Sequence, residues 1–215
     1  MKACSPSASF GLPRLALVLL VLLLFQATVG CRERTPRIAQ LPPGAVILAF
    51  GDSLTSGYGA GSRESYPAVL EQLTGFNVIN AGVPGEITGQ GLKRLPALLY
   101  RYQPDLVILC HGGNDLLRRH DLETTAGNLR QMITSARASG AQVLLVGVPQ
   151  PGLLLRPAAF YEELAAEFEI PCEKKILHDI LTNNSEKSDT IHPNAAGYRR
   201  LAEALARFIE TGDSG

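Results

Sequence analysis

The chain alternates short aliphatic runs with segments of helical periodicity, and this alternation constrains its fold most. The aliphatic runs are residues 45–50, 76–80, 106–110 and 142–148, with a shorter fifth run at 170–172. The segments with helical spacing of apolar residues are 65–74, 88–100, 122–139, 158–169, 174–181 and 195–209. Strands that alternate with helices of about 10–18 residues indicate βαβ units, whose right-handed crossovers build a parallel sheet. The sequence therefore predicts an α/β fold, a three-layer α/β/α sandwich.

Length and charge narrow the function classes. The chain has 215 residues, which suits one domain after a targeting segment is removed. Its 20 basic and 20 acidic residues balance, and no basic cluster interrupts the sequence, so nucleic acid is not expected as a partner. None of the four cysteines lies in a Cys-x-x-Cys pair, so neither a zinc site nor a redox motif is supported. We expect no metal and no cofactor. Pairing of Cys110 with Cys172 stays open.

The N-terminus has the pattern of a targeting segment. An aliphatic run at residues 15–25 follows Lys2 and Arg14, and its length is that of a signal-peptide core and short for a membrane span. A small residue then precedes Cys31, which resembles the lipobox of bacterial lipoproteins. The resemblance implies cleavage before Cys31 and lipidation of its thiol. Ordinary secretion and an uncleaved anchor are the alternatives, and each places the domain outside the cytoplasm, in the periplasm, on a membrane or secreted. The expected division is a signal peptide over 1–30, a tether over 31–43 and a domain over 44–212.

Small and polar residues follow the carboxyl ends of the predicted strands. A parallel sheet binds its ligands at these strand ends. They form four blocks in the sequence: Gly51-Asp52-Ser53-Leu54, Asn80-Ala81-Gly82, Gly112-Gly113-Asn114-Asp115 and Asp189-Thr190-Ile191-His192. Each block alone is typical of a helix cap or a turn. Their joint occurrence, in order along the chain, favours one shared site.

This set of side chains suits acyl transfer, which needs a nucleophile, a base, a group that orients the base, and donors for the oxyanion. Ser53 is the candidate nucleophile and His192 the candidate base. Asp189 is placed to orient the imidazole. The candidate oxyanion donors are the backbone N–H groups of Ser53 and Gly82 and the side-chain amide of Asn114.

The four blocks resemble those of the GDSL esterases of the SGNH hydrolase superfamily. The chain is most similar to the bacterial branch of thioesterase I, arylesterase and lysophospholipase L1-like enzymes. The resemblance implies a flavodoxin-like parallel sheet of about five strands, hydrolysis of acyl esters and thioesters without a metal, and the roles given above. The implied partners are a small acyl ester or lysophospholipid and, through a lipid anchor, a membrane.

Two departures from that family bear on the site. Cys110-His111 stands where many relatives have Glu-Leu, and His111 either tunes the site or packs in the core. The loop at 149–157 carries an apolar tip, Leu153-Leu154-Leu155, which either lines an acyl groove or anchors the loop. The alternative functions are a carbohydrate O-acetylesterase and a non-catalytic, envelope-anchored binding protein.

Overall fold

A computed structural model describes residues 36–150, 152 and 156–209. Within these residues five strands form one sheet: β1 (Val46–Gly51), β2 (Asn77–Gly82), β3 (Leu106–Cys110), β4 (Gln142–Val146) and β5 (Cys172–Glu173). The spatial order is β2-β1-β3-β4-β5, and every neighbouring pair is parallel. This order is the flavodoxin-like one, so the predicted sheet is confirmed.

Helices cover both faces of the sheet. They are α1 (Ser53–Ser56), α2 (Tyr66–Thr74), α3 (Thr88–Tyr102), α4 (Gly113–Leu117), α5 (Leu122–Ala138), α6 (Ala159–Phe168), α7 (Ile176–Thr182) and α8 (Ala195–Ile209). Helix α2 packs against α8, while α5 packs against both α3 and α6. The three-layer α/β/α sandwich is therefore confirmed.

The central strands hold the core, because they are covered on both faces. All five residues of β3 are buried, as are residues 47–51 of β1. Strands buried on both faces carry continuous aliphatic runs, the pattern that identified them in the sequence.

The strand register brings the site loops to one edge. Gly51 of β1 pairs with Gly82 of β2 on one side and with Cys110 of β3 on the other. The chain leaves β1 toward β2 and later crosses back to β3, so the carboxyl end of β1 is the topological switch point where such sheets bind ligands. Ser53 lies two residues beyond this point.

Some element boundaries differ from the sequence-based ones. Strand β2 extends to Gly82 instead of ending at residue 80, because its ladder with β1 continues to that glycine. The fifth strand lies at Cys172–Glu173, two residues beyond the start of the predicted run, because the Ile170 N–H still closes the turn after α6 on the Ala165 carbonyl. Helix α3 continues through Pro96 without a break.

Several predictions concern residues outside the described part of the chain. The signal peptide, Cys31 and the first residues of the tether belong to this group, as do Leu153, Leu154 and Leu155. Among the described residues, no helix is both long enough and apolar enough to span a membrane. Cys110 and Cys172 are both free thiols, so the pairing left open by the sequence is not made.

Candidate active site

Ser53 is presented by a sharp transition from β1 into the one-turn helix α1. Asp52 is buried and caps that helix, its Oδ1 accepting the Leu54 N–H at 3.1 Å. Burial raises the pKa of Asp52, although His111, the Leu54 N–H and His192 act to lower it. Gly57 ends the turn in the left-handed conformation, with φ of 87°. A tight turn of this kind fixes the position of Ser53 at the edge of the sheet.

His192 and Asp189 complete a hydrogen-bonded chain with Ser53. His192 Nε2 lies 3.0 Å from Ser53 Oγ, and His192 Nδ1 lies 2.8 Å from Asp189 Oδ2. Asp189 Oδ1 accepts the backbone N–H groups of Ile191 and His192, both at 2.8 Å. Burial raises the pKa of Asp189, but these three donors lower it by more, so the net shift is downward. An ionised carboxylate only accepts, so Nδ1 carries the proton and Nε2 is free to accept from the Ser53 hydroxyl.

Tyr58 contacts the imidazole from the side, a role that sequence reasoning missed. The Tyr58 and His192 rings have centroids 4.6 Å apart with an interplanar angle of 45°. The backbone carbonyl of Tyr58 accepts the buried Tyr198 hydroxyl of α8 at 2.8 Å. The glycines on either side, Gly57 and Gly59, both have positive φ, and the glycine-rich stretch 57–62 to which they belong was the signal in the sequence for a rim of the site.

Asn114 lies beside the nucleophile loop at the start of α4. Its Nδ2 donates to the Glu86 carbonyl at 3.1 Å and lies 3.4 Å from Asp52 Oδ2. Gly112 precedes the helix in the left-handed conformation, with φ of 105°. The amide predicted as an oxyanion donor thus lines the same groove as Ser53, with one N–H held by the Glu86 carbonyl and the other in a longer hydrogen bond to the Asp52 carboxylate.

The backbone N–H of Gly82, which the sequence predicted as an oxyanion donor, is already hydrogen-bonded within the protein. Its N–H donates to Asn80 Oδ1 at 3.0 Å. A Cβ at this position would lie 2.1 Å from the Ser56 nitrogen, so a glycine is required for close packing of β2 against α1. Three residues on, Gly85 has φ of 77°, and its N–H finds no hydrogen-bond acceptor among the described residues. The Ser53 N–H likewise has no hydrogen-bond acceptor among the described residues.

A groove opens beside the hydrogen-bonded chain, and its walls are mainly apolar. Its polar side chains are those of Ser53, Asn114, Thr190 and His192. Its apolar walls are formed by Leu54, Leu117, Val148, Pro149, Leu181 and Ile191. Leu117 and Ile191 are also more than one-third exposed at the rim. The groove suits an apolar group attached to the reacting carbonyl.

Residues 49–200 match the model of the GDSL-like Lipase/Acylhydrolase family. The chain belongs to this family. It is 33% identical over 172 residues to Thioesterase 1/protease 1/lysophospholipase L1 of Escherichia coli strain K12, a match that covers 76% of this chain and 83% of that protein. An arylesterase of Vibrio mimicus is 32% identical over 174 residues, with 76% and 87% covered.

Solved structures agree with the sequence matches. The crystal structure of TesA superposes with a TM-score of 0.69 at 30% identity, covering 77% of this chain and 98% of that one. The resemblance seen in the sequence is therefore confirmed. This protein is a carboxylic ester hydrolase with the SGNH hydrolase fold.

Proposed function

We propose that this esterase hydrolyses acyl esters and thioesters through a Ser53–His192–Asp189 triad. The observation that carries the proposal is the continuous hydrogen-bonded chain from Asp189 through His192 to the Ser53 hydroxyl. A nucleophile, its base and the group that orients the base stand in the order that acyl transfer requires.

The reaction proceeds in two displacements. Ser53 Oγ attacks the carbonyl carbon while its proton passes to His192 Nε2, and a tetrahedral oxyanion forms. Collapse breaks the bond to the leaving alcohol or thiol, which takes the proton from His192 and leaves an acyl-Ser53 ester. Water then attacks this ester and gives a proton to His192, and collapse returns that proton to Ser53 as the carboxylic acid departs. Asp189 stabilises the imidazolium in both steps.

The oxyanion is stabilised by the Ser53 N–H and by the second N–H of the Asn114 amide, which gives up its long 3.4 Å hydrogen bond to Asp52 Oδ2. A third donor comes from the β2–α3 loop, where Gly82 and Gly85 are the two candidates. The Gly82 N–H serves only if the Asn80 side chain releases it, whereas the Gly85 N–H has no acceptor within the described part of the chain. An Asn80→Ala variant separates them, because freeing the Gly82 N–H raises kcat if Gly82 is the donor and leaves kcat unchanged if Gly85 is.

The groove favours an acyl chain or an aromatic leaving group as the apolar part of the substrate. Its walls are mainly aliphatic, with Thr190 as the one hydroxyl side chain beside Ser53 among the described lining residues, and relatives are named arylesterase and lysophospholipase L1. We include Leu153, Leu154 and Leu155 in this proposal as an extension of the groove, because the described residue Pro149 already lines it just before that tip. A carbohydrate O-acetylesterase is the competing enzyme, and a series of p-nitrophenyl esters from acetyl to palmitoyl distinguishes them. Activity confined to the acetyl ester contradicts the acyl-chain proposal.

The proposed place of action is outside the cytoplasm, on a membrane through lipidated Cys31, or in the periplasm or medium if Cys31 carries no lipid. The support is the aliphatic run at 15–25 and the small residue before Cys31. Metabolic labelling with palmitate tests the anchor: the label is expected in the wild type and lost in Cys31→Ser. Label that persists in Cys31→Ser contradicts lipidation at this residue.

Hydrolysis by wild type and Ser53→Ala tests the enzymatic proposal itself. The wild type is expected to turn over at least one ester of the series, and Ser53→Ala to lose that activity by at least 10³-fold. Equal, negligible hydrolysis by both folded proteins would instead favour a non-catalytic binding protein.

A further inference from the structure

A charged cluster, largely buried, contacts Asn114, one of the candidate oxyanion donors. It consists of Glu86, which precedes α3, Arg94 within α3 and His111 at the end of β3. Glu86 Oε2 is 2.6 Å from Arg94 Nη2 and 3.1 Å from His111 Nε2. Arg94 Nε donates to the other carboxylate oxygen at 2.8 Å, so the Arg94–Glu86 pair is bidentate. No member of the cluster touches Ser53, and the reaction steps described above do not use it.

The geometry fixes the tautomer of His111. The Gly112 N–H donates to His111 Nδ1 at 2.9 Å, so Nδ1 is the acceptor nitrogen. The proton therefore sits on Nε2, which donates to the Glu86 carboxylate. The His111 side chain is fully buried, and its backbone carbonyl accepts the Tyr161 hydroxyl at 2.8 Å. A histidine held at both ring nitrogens is oriented far more strictly than one that only fills space.

Arg94 connects the cluster to the other strand ends. Its Nη2 donates to the Ala81 carbonyl of β2 at 3.0 Å, and its guanidinium carbon lies 4.3 Å from the centre of the Phe50 ring of β1. Together with His111 of β3, the cluster ties the carboxyl ends of the three strands that carry the candidate site loops. Bidentate and stacked contacts of this kind require a planar guanidinium.

The cluster reaches the site through Glu86. Its backbone carbonyl accepts one N–H of the Asn114 amide at 3.1 Å. The carboxylate clamp fixes where this carbonyl points, and the carbonyl fixes the rotation of the amide. The other N–H of the amide makes only a long contact of 3.4 Å with Asp52 Oδ2, which it can exchange for the developing oxyanion.

A glycine in α3 makes room for the cluster. A Cβ at Gly91 would lie 2.5 Å from His111 Nε2 and 3.3 Å from Glu86 Oε2. A glycine inside a helix is less stabilising than alanine, and this close approach explains why one stands here.

We propose that Glu86, clamped by Arg94 and His111, is a positioning residue for the Asn114 oxyanion donor. The inference rests on the proposed function, because it assigns a task to residues that support that reaction. His111, which the sequence left between a tuning and a packing role, acts here as the donor that holds the Glu86 carboxylate.

The test is a double-mutant cycle between Glu86 and Asn114. Glu86→Gln keeps the size of the side chain but presents an amide to the three donating N–H groups of Arg94 and His111, so at least one of them loses its acceptor. We expect Glu86→Gln to lower kcat on a p-nitrophenyl ester by about 10-fold with KM changed less than twofold, since removal of a whole oxyanion donor costs about 10²–10³. Asn114→Ala should lose about that larger factor, and the double variant should be no slower than Asn114→Ala. Interactions that act through one shared group are non-additive in this way.

The matched control is Glu167→Gln, which weakens a similar bidentate pair with Arg130 on the surface, far from the site in sequence. Its kcat should equal that of the wild type. A second pair of variants guards against misfolding: His111→Gln keeps a donor toward Glu86 and should retain most of the activity, whereas His111→Leu should fall to the level of Glu86→Gln.

Two results would overturn the inference. One is a kcat of Glu86→Gln within twofold of the wild type. The other is a double variant whose loss is the product of the two single losses. Failure of the proposed function looks different, because the wild type would then show no hydrolysis that depends on Ser53.

Discussion

His192 Nδ1 lies 2.8 Å from Asp189 Oδ2, although the two residues are only three positions apart in a loop. The loop achieves this because Asp189 Oδ1 also accepts the backbone N–H groups of Ile191 and His192, which turns the chain back on itself. One carboxylate therefore shapes the loop with one oxygen and orients the imidazole with the other.

Asp189→Asn should separate these two tasks. An asparagine oxygen can still accept the two backbone N–H groups, so the fold should be retained. Its amide nitrogen, however, donates toward Nδ1 and stabilises the wrong imidazole tautomer, which lowers kcat by about 10²–10⁴. Kinetics with a p-nitrophenyl ester and the melting temperature measure the two effects. Full activity in the variant would show that Asp189 only shapes the loop.

Tyr58 should matter for kcat through its contact with His192. The ring lies against the imidazole, while its backbone carbonyl holds Tyr198 and is unaffected by a change of side chain. We expect Tyr58→Phe to be close to the wild type and Tyr58→Ala to lose roughly 10-fold in kcat, because a less restrained base spends less time in the reactive geometry. If the phenylalanine variant loses as much as the alanine variant, the hydroxyl is what matters and the packing argument is wrong.

Gly91 and Gly127 make a matched pair for stability. Both lie inside helices, but a Cβ at Gly127 would meet nothing within 4 Å, whereas one at Gly91 would lie 2.5 Å from His111 Nε2. Gly127→Ala should raise the free energy of unfolding by about 0.5–1 kcal/mol, since alanine is the better helix former. Gly91→Ala should lower it by about 1–3 kcal/mol through overpacking. Urea titrations measure both, and stabilisation by both substitutions would show that the cluster around His111 is loosely packed.

Acid should weaken the fold through Glu86. Burial raises its pKa, but the hydrogen bonds from His111 and Arg94 and the charge of Arg94 lower it by more, to about 2 from an ordinary 4.5. A carboxylate with a depressed folded pKa stabilises the protein above the unfolded value, and that stability is lost as pH falls toward the folded value. The melting temperature of the wild type should therefore drop between about pH 4.5 and pH 2.

The Glu86→Gln variant is the control for this acid effect. It has no carboxylate to titrate, so its melting temperature should depend less on pH over the same interval, and the gap between the two proteins should narrow as pH falls. A difference in melting temperature that stays constant down to pH 2 would contradict stabilisation of the Glu86 carboxylate by Arg94 and His111.

The sequence predicted the fold and the location of the site because both depend on local patterns. Aliphatic runs with helical segments between them determine a parallel sheet, and such a sheet brings strand ends together whatever the side chains do. Ser53, Asn114 and His192 each lie in a recognisable sequence block at a strand end, so their convergence was predictable.

What the sequence did not predict depends on contacts between distant side chains. Glu86, Arg94 and His111 carry no joint motif, and their pairing follows only from where α3 lies across the end of β3. The hydrogen bond from the Gly82 N–H to Asn80 was equally hidden, because it depends on a side-chain rotamer. The role of Gly82 as an oxyanion donor stays a prediction, and the Gly85 N–H, for which the described residues provide no acceptor, competes with it.

Covalent labelling with a fluorophosphonate, located by mass spectrometry, is the sharpest test of the triad, because it requires no choice of substrate. We expect one phosphonyl adduct per chain, on the peptide that contains Ser53, absent in Ser53→Ala and formed much more slowly in His192→Ala. A folded wild-type protein that takes up no label, or takes it up equally well when Ser53 is replaced, would contradict the triad.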